Sequence, residues 1–259
     1  MFSNGKWVGI MKVEAIFKPD KSKLGTLVAG TSGSGKTTAM VSMLRQAILN
    51  PKFPSTHRFV IIDPKVQAGD YDLLADPLTD MNEVMKSIPE NRVTLYWPDY
   101  KKFDQKTLEY DVSEIVDHMF EIQNQEPSMS FTFVLDESSI LITPTQIPPS
   151  LKRLTVQGRA KNMIPIYISQ RPLTNRWIDS NMSKLIMFRI VPVDADVLSK
   201  RWGLNFHKIN DSITEVDYSF IVFDLSKVKT TRIKPVELPK KIPRPKKSKF
   251  EKMKETFGL

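Results

Sequence analysis

The sequence contains no cysteine and only three histidines among its 259 residues. The absence of cysteine excludes a disulfide framework, a thiol nucleophile and thiolate-ligated zinc or iron–sulfur centres. The histidines, His57, His118 and His207, are far apart along the chain, which argues against a His-rich metal centre. We therefore expect the chemistry of this protein to rest on carboxylates, hydroxyls, amines and amides.

Long apolar segments are also missing. No run approaches the ~18 residues that a membrane helix needs. The N-terminus, MFSNGKWVGIMKVEAIF, lacks the charged start, long apolar stretch and small-residue cleavage site of a signal peptide. With 41% hydrophobic and 26% charged residues, the composition is ordinary for a globular protein. Together these features predict a soluble intracellular protein.

Acidic residues are too few to balance the basic ones, because 38 Lys and Arg face 29 Asp and Glu, a net charge of +9. Residues 232–259 carry ten Lys or Arg and three Glu, or +7, which leaves 9 − 7 = +2 for residues 1–231. We predict one globular domain at 1–231 and a partly disordered, Pro- and Lys-rich tail at 232–259. The tail either only aids solubility or tethers the protein to DNA, an acidic partner or a membrane surface.

Short β-rich runs alternate with helical patterns along the chain. The predicted strands are LGTLVAG (24–30), RFVIID (58–63), RVTLYWP (92–98), FTFVLD (131–136), MIPIYIS (163–169), KLIMFRIV (184–191) and SFIVFDL (219–225), and the predicted helices span 36–49, 79–88, 108–123 and 150–161. Strands that alternate with helices predict an α/β fold, a mostly parallel central sheet with helices on both faces. The loops at 64–78 and 139–149 follow strand ends and are candidates for functional or subunit contacts.

A phosphate-binding loop is the strongest motif. Residues 30–37 read GTSGSGKT, a match to G-x-x-x-x-G-K-[ST] between an apolar strand and a helix-forming run. Such a loop points its N–H groups and the helix dipole at phosphate oxygens, Lys36 reaches the β- and γ-phosphates, and the Thr37 hydroxyl coordinates Mg²⁺. We therefore predict ATP and Mg²⁺ as cofactors. The predicted ATP-binding residues are Gly30, Thr31, Ser32, Gly33, Ser34, Gly35, Lys36, Thr37 and Thr38.

An acidic pair and a glutamine complete the predicted machinery. Asp136 and Glu137 follow an apolar strand at the end where open α/β sheets bind ligands. Asp136 would hold Mg²⁺ through water, and Glu137 would polarise the attacking water. Gln170, at the end of another strand, would hydrogen-bond the γ-phosphate or the water, or merely begin a polar loop. The N-K-x-D signature of GTPases is missing, and the Asp-Glu pair is typical of a hydrolase that turns ATP into movement.

The segments GTSGSGKT, VIIDPK, FVLDES, GRA…IYISQRP and KLIMFRIV, in this order, resemble the FtsK–HerA superfamily of DNA-pumping ATPases over roughly residues 24–203. The resemblance implies a RecA-like fold with an additional strand between the phosphate-loop and Asp-Glu strands. It also implies a ring, usually a hexamer, with ATP at the subunit interfaces. Gln170 would be the sensor, and an arginine from the neighbouring subunit would complete the site. Arg159 matches the family's Arg-Ala before the sensor strand, Arg189 and Arg153 are alternatives, and any of them could be structural.

The lack of the membrane segments, β-barrel and winged helix of other members makes the chain look like the genome-packaging ATPases of tailless icosahedral viruses with an internal membrane. This implies a motor that pumps double-stranded DNA into a preformed capsid, in the host cytoplasm and on the virion. The tail would dock on capsid vertex or viral membrane proteins. A conjugative or chromosomal DNA translocase, a filamentous-phage assembly ATPase and a non-motor nucleotide switch are the alternatives. Loose candidates for DNA contacts are Lys65, Lys101, Lys102, Arg171 and Arg176.

Overall fold

One nine-stranded sheet forms the centre of the protein. We describe a computed structural model over residues 14–17, 25–99, 104–172, 175–225 and 229–233. The two lysines proposed for DNA contact at 101 and 102, and the tail from residue 234 onward, lie outside the described residues. Residues 232 and 233, which the charge pattern assigns to the tail, form the end of the last strand.

The sheet has the order β3-β4-β2-β5-β6-β1-β7-β8-β9. Its strands are β1 (Gly25–Ala29), β2 (His57–Ile62), β3 (Pro77–Leu78), β4 (Val93–Tyr96), β5 (Ser130–Leu135), β6 (Met163–Ser169), β7 (Met182–Met187), β8 (Phe220–Asp224) and β9 (Lys229–Ile233). β1 to β7 pair in parallel, and β8 and β9 continue the sheet in antiparallel pairing. β6 lies between β1 and β5, so the expectation of an additional strand there is confirmed.

Eight helices are present among the described residues. They are α1 (Glu14–Phe17), α2 (Lys36–Leu49), α3 (Met81–Glu90), α4 (Gln105–Gln125), α5 (Pro149–Gln157), α6 (Arg176–Asn181), α7 (Pro192–Trp202) and α8 (Phe206–Thr214). Local sequence explains where several of them begin. The carboxylates of Asp80 and Asp104 cap α3 and α4 by accepting hydrogen bonds from backbone N–H groups of the first turn. α5 and α7 begin with proline, whose ring suits the first helical position.

The helices cover both faces of the sheet, as the alternating pattern predicts. On β1, Leu27 and Ala29 face the layer that includes α3, α4, α5, α7 and α8, whereas Val28 faces α1 and α2. All three side chains are buried. Each fully buried aliphatic side chain of Val or Leu size contributes about 1.5–3 kcal/mol to folding. The two apolar layers therefore hold the carboxyl ends of β1, β5 and β6 in fixed positions.

No helix within the described ranges has the length and hydropathy that a membrane span requires.

Candidate functional site

The phosphate loop connects β1 to α2, and its residues from Ser32 onward line an open cleft. Gly30 must be glycine, because a Cβ there would lie 2.6 Å from Cβ of Phe188 and 2.9 Å from the Ser34 hydroxyl. Gly35 has a φ of +89° and, as the residue before α2, offers no side chain to cap the helix. The first N–H groups of α2 are thus left for a ligand, and an anion is the ligand that a helix N-terminus attracts.

Lys36 curls over the loop that precedes it. Its Nζ donates to the carbonyl oxygens of Gly30, at 2.6 Å, and Thr31, at 2.8 Å. Burial, and then the neighbouring charge of Lys65, lower the pKa of the Lys36 ammonium to about 8. The negative charge of an incoming phosphate would offset both effects and favour the charged form of the ammonium. Lys36 is therefore placed to bind an anion.

Thr37 and Asp136 are brought together although 99 positions separate them. The Thr37 hydroxyl donates to Oδ2 of Asp136 across 3.3 Å. Asp136 follows β5 and Thr37 begins α2 after β1, so the parallel sheet delivers both to one edge. A hydroxyl beside a carboxylate is the pair of oxygen ligands that a phosphate-bound Mg²⁺ takes from a P-loop protein.

The surroundings of Asp136 fit a divalent cation. Burial, and then the charge of Asp136, raise the pKa of Asp63 to about 6, and the same two effects raise the pKa of Asp70. Oδ2 of Asp63 is buried without a hydrogen-bond partner among the described residues. The carboxylates of Asp63, Asp70 and Asp136 thus lie close enough to repel one another, and a cation between them would reduce that repulsion. Within the described part of the chain, no three acidic or histidine side chains are grouped so that they could hold a metal.

Glu137 is held in an uncommon backbone conformation directly after Asp136. Its φ is +46°, in the left-handed region that few non-glycine residues adopt, which is a feature of functional turns. Oε1 accepts a hydrogen bond from the Ser139 hydroxyl at 3.2 Å, and Oε2 lies 3.1 Å from Nζ of Lys65. The turn therefore presents the carboxylate to Lys65, which lines the cleft beside the phosphate loop.

Lys65 was predicted as a DNA contact, and the structure places it in the nucleotide cleft instead. Its Nζ lies 3.4 Å from Oδ1 of Asp136 and 3.1 Å from Oε2 of Glu137. Burial works against its charge, but the two carboxylates outweigh that effect and raise the pKa of Lys65. Sequence reasoning missed this role. The available signal was the segment VIIDPK, which places a lysine two residues after a buried aspartate at a strand end.

Gln170 is exposed and lines the same cleft as the phosphate loop. It follows β6, and the carbonyl of the preceding Ser169 accepts a hydrogen bond from Gly30 N. The Ser138 hydroxyl donates to the carbonyl of Ile168 at 2.9 Å and joins the acidic turn to the same strand. Gln170 is thus connected to both the phosphate loop and the acidic pair.

The three candidate arginines occupy different parts of the molecule. Arg159 lies before β6, one strand length or about 20 Å from its own phosphate loop. Arg189 lies beside that loop, since its carbonyl accepts from Thr31 N at 2.8 Å. Arg153 is paired with Asp117 at 3.0 Å and stacks on the Phe120 ring at 3.9 Å, contacts that give it a structural role. A role of Arg159 toward a neighbouring subunit stays a prediction.

Arg171 and Arg176, two further predicted DNA contacts, have different surroundings. Arg171 donates through Nε and Nη2 to the Asp194 carboxylate, at 3.0 and 2.6 Å, yet its side chain is 67% exposed. Arg176 begins α6 and lies over the ring of Trp177, with 5.2 Å from Cζ to the ring centroid. Lys152, on α5, approaches the same ring at 3.9 Å. Lys152, Arg176 and Trp177 form a cationic and aromatic surface, of which the sequence analysis named only Arg176.

The cleft has a volume of about 720 Å³. Besides the phosphate loop and Gln170, it is lined by four residues that sequence reasoning missed, Lys65, Gln67, Asp70 and Tyr218. Lys65, Gln67 and Asp70 belong to the loop 64–78 that the sequence marks as a functional candidate, whereas nothing in the sequence points to Tyr218.

Comparison with known proteins agrees with this geometry. Residues 8–104 match the model of the FtsK/SpoIIIE family. The chain is similar to "DNA translocase FtsK" of Tropheryma whipplei, with 26% identity over 195 residues, and of Shewanella oneidensis, with 28% identity over 173 residues. These matches cover 68% and 56% of this chain but only 26% and 19% of the relatives, so the chain spans about a quarter of their length or less.

Solved structures share the fold at lower identity. The genome packaging NTPase B204 from Sulfolobus turreted icosahedral virus 2, in complex with ATP-gammaS, superposes with a TM-score of 0.61 and 15% identity, covering 84% of this chain and 100% of that one. VirB4 of Thermoanaerobacter pseudethanolicus superposes with a TM-score of 0.63 and 12% identity, and the match covers 86% of this chain and 92% of that one. The resemblance to the FtsK–HerA superfamily is confirmed, and the chain has the RecA-like α/β fold of P-loop proteins.

Proposed function

We propose that the protein is an ATP-driven translocase of double-stranded DNA. The observation that carries the ATPase part is the convergence of Lys36, Thr37, Asp136 and Glu137 at one edge of the sheet, with contacts of 3.1–3.4 Å joining Thr37 to Asp136 and Lys65 to the acidic pair. The similarity to FtsK proteins supports DNA as the substrate. Mg²⁺, held by Thr37 and by Asp136 through water, would neutralise charge on the bound phosphates.

In the proposed mechanism, Lys36 leaves the carbonyls of its own loop and binds the β- and γ-phosphates. A γ-phosphate in the cleft also attracts Lys65, which releases Glu137 from its ion pair. Glu137 then accepts a proton from the attacking water as the water oxygen bonds to the γ-phosphorus and the bond to the β-phosphate oxygen breaks. The products are ADP and inorganic phosphate, and Gln170 detects the departure of the γ-phosphate.

A groove of about 770 Å³ supports a mechanical connection between hydrolysis and DNA. It lies between the loop at 139–149, which follows the acidic pair, and the segment that follows Gln170. Nδ2 of the buried Asn175 donates to the carbonyl of Thr143 at 2.9 Å and joins the two. Lys152, Arg176 and Trp177 line the groove, and the two cations suit the backbone phosphates of a duplex. A shift of either catalytic strand end would move this surface.

The test of this function is ATPase activity with and without double-stranded DNA. We expect DNA to stimulate hydrolysis, and its apparent affinity to fall steeply as salt rises, because phosphate contacts release counterions. Replacing Lys152 and Arg176 together with alanine should reduce the stimulation. Lys208→Ala, which removes one exposed charge from α8, is the control and should keep it. Hydrolysis that is indifferent to DNA in the unaltered protein would contradict the translocase.

We further propose a homo-oligomeric ring, probed through Arg159. If Arg159 acts on the neighbour's nucleotide, the Arg159→Ala and Lys36→Ala variants should each lose hydrolysis, and mixing them should restore part of it. Mixed interfaces then combine an intact phosphate loop with an intact arginine. Arg153→Ala is the matched control and should keep its own activity, since Arg153 pairs with Asp117. A mixture without recovered activity would remove Arg159 from this role.

The finer function we propose is packaging of a viral genome into a preformed capsid, in the host cytoplasm and on the virion. The superposition on the viral packaging NTPase supports it. The basic residues 232–259 would dock on capsid vertex or viral membrane proteins. A conjugative or chromosomal translocase is the second candidate, favoured by the similarity to FtsK proteins and VirB4. Transport of DNA into purified empty capsids separates the two.

A further inference from the structure

Tyr218 lies at the mouth of the nucleotide cleft, on the turn that leads into β8. β8 is antiparallel, so its first residue lies at the edge of the sheet where β1, β5 and β6 end. The ring is 62% exposed and still touches the phosphate loop, since Cδ1 lies 3.2 Å from the position that a Cβ on Gly35 would take. A Cβ at position 35 would press against this ring and require it to shift by a few tenths of an ångström.

The backbone at Tyr218 is held in a conformation that a bulky residue rarely adopts. Its φ is +60°, in the left-handed region. Hydrogen bonds on either side maintain the turn: Ser219 N donates to the carbonyl of Val216 at 3.2 Å, and the Ser219 hydroxyl donates to the carbonyl of Ile213 at 2.9 Å. Ser219 is buried, so the turn is anchored while the ring stays in solvent. The left-handed backbone costs free energy, and the turn holds it while the aromatic face stays exposed. This combination is a feature of binding sites.

The order of the strands determines which groups lie on either side of the phosphate loop. β6 and β5, which end in Gln170 and the acidic pair, lie on one side of β1, whereas β7 and β8 lie on the other. A triphosphate on the loop would have its γ-phosphate near the acidic pair, where water is activated. Its other end would then extend toward β7 and β8, and Tyr218 is the aromatic residue that lines the cleft there.

A second, smaller cavity continues from the cleft on this side. Its volume is about 190 Å³, and it extends past the ring of Tyr218. It is lined by Gly33, Ser34, Arg189, Thr214, Asp217 and Tyr218, among others. Stacking against the ring would therefore place a flat group between the phosphate loop and the α8–β8 turn.

We propose that Tyr218 is the platform on which the nucleotide base stacks. The inference rests on the proposed function, because it assigns the base end of the same ATP whose phosphates the loop would bind. The phenol ring offers an exposed π-face, and the phosphate loop holds it at one edge. Stacking of this kind needs the ring and not the hydroxyl, so phenylalanine should replace tyrosine.

The test compares the affinities of ATP and inorganic tripolyphosphate, which has the phosphates without the base, by calorimetry on the full chain. Tyr218→Asn removes the ring, and asparagine tolerates a positive φ, so the turn is kept. Tyr218→Phe keeps the ring. We expect Tyr218→Asn to weaken ATP about tenfold, from the 1–3 kcal/mol that one base–aromatic stack contributes. Tripolyphosphate should bind both variants as it binds the unaltered protein, and Tyr218→Phe should bind ATP normally.

Two outcomes would overturn the platform. Tyr218→Asn could bind ATP as tightly as the unaltered protein, or it could lose ATP and tripolyphosphate in parallel, in which case the ring only supports the phosphate loop. An unaltered protein that binds neither ligand would instead refute the proposed function.

Discussion

Glu137→Gln should bind ATP almost normally and hydrolyse it about 10²- to 10⁴-fold more slowly, the range that a general base contributes. Glutamine has the same shape, so the turn at φ +46° and the hydrogen bond from Ser139 can persist. What is lost is the charge that accepts a proton from water and that attracts Lys65 across 3.1 Å. Binding depends on Lys36 and the loop N–H groups, none of which changes.

The measurement is single-turnover hydrolysis beside equilibrium binding of ATP. Glu126→Gln is the matched control, because Glu126 is an exposed glutamate that precedes β5 and lies at the opposite edge of the sheet. It should leave both quantities unchanged. Hydrolysis by Glu137→Gln at the unaltered rate would show that another group activates the water.

Lys36→Ala should lose ATP binding itself, by the order of 100-fold if the ammonium contributes the roughly 3 kcal/mol of a strong charged hydrogen bond. Its Nζ already lies within 2.8 Å of two loop carbonyls, so it needs little rearrangement to reach a phosphate. Alanine also removes the positive charge that the phosphates would meet in the cleft. Lys86→Ala, an exposed lysine on α3, is the control and should bind ATP normally.

The affinity of the unaltered protein should also depend on pH. The pKa of Lys36 is lowered to about 8, chiefly by burial, so the free protein loses this charge as the pH rises above about 8. Phosphate favours the charged form and raises that pKa on binding. ATP should therefore bind more weakly from pH 8 upward and take up protons as it binds, which calorimetry in buffers of different ionisation enthalpy measures. A flat profile between pH 7 and 9 would contradict the assignment.

Local patterns were sufficient for the centre of the fold. Seven predicted strands correspond to β1, β2 and β4 to β8, because buried parallel strands are continuous apolar runs between polar turns. The run predicted at 184–191 is too long, since β7 ends at Met187 and Pro192 begins α7. The two-residue β3, β9 and the helices α1 and α6 to α8 are not predicted from the sequence. Their signals are short or weakly periodic, and packing against the sheet stabilises them.

The phosphate loop and the acidic pair follow from sequence because their chemistry is written in consecutive residues. The residues GTSGSGKT are enough to predict a turn followed by the start of a helix. An apolar run followed by Asp136 and Glu137 is enough to predict a buried strand that ends in exposed carboxylates. Pairing two such motifs needs only the rule that parallel strands present their carboxyl ends at one edge. That rule is enough to anticipate the contact between Thr37 and Asp136.

Lys65 and Tyr218 could not be placed in this way. VIIDPK is the one sequence signal for Lys65 and does not say which groups it meets, and Tyr218 has no such signal. Their neighbours in space lie 71 positions away for Lys65 and Asp136 and 183 positions away for Tyr218 and Gly35. The order of the strands puts Lys65 beside the carboxylates and Tyr218 on the opposite side of the loop. Composition and motifs thus established a basic, cysteine-free P-loop protein. Long-range packing of the sheet decided which unremarkable side chains face the nucleotide, because contacts between distant residues depend on strand order and not on local pattern.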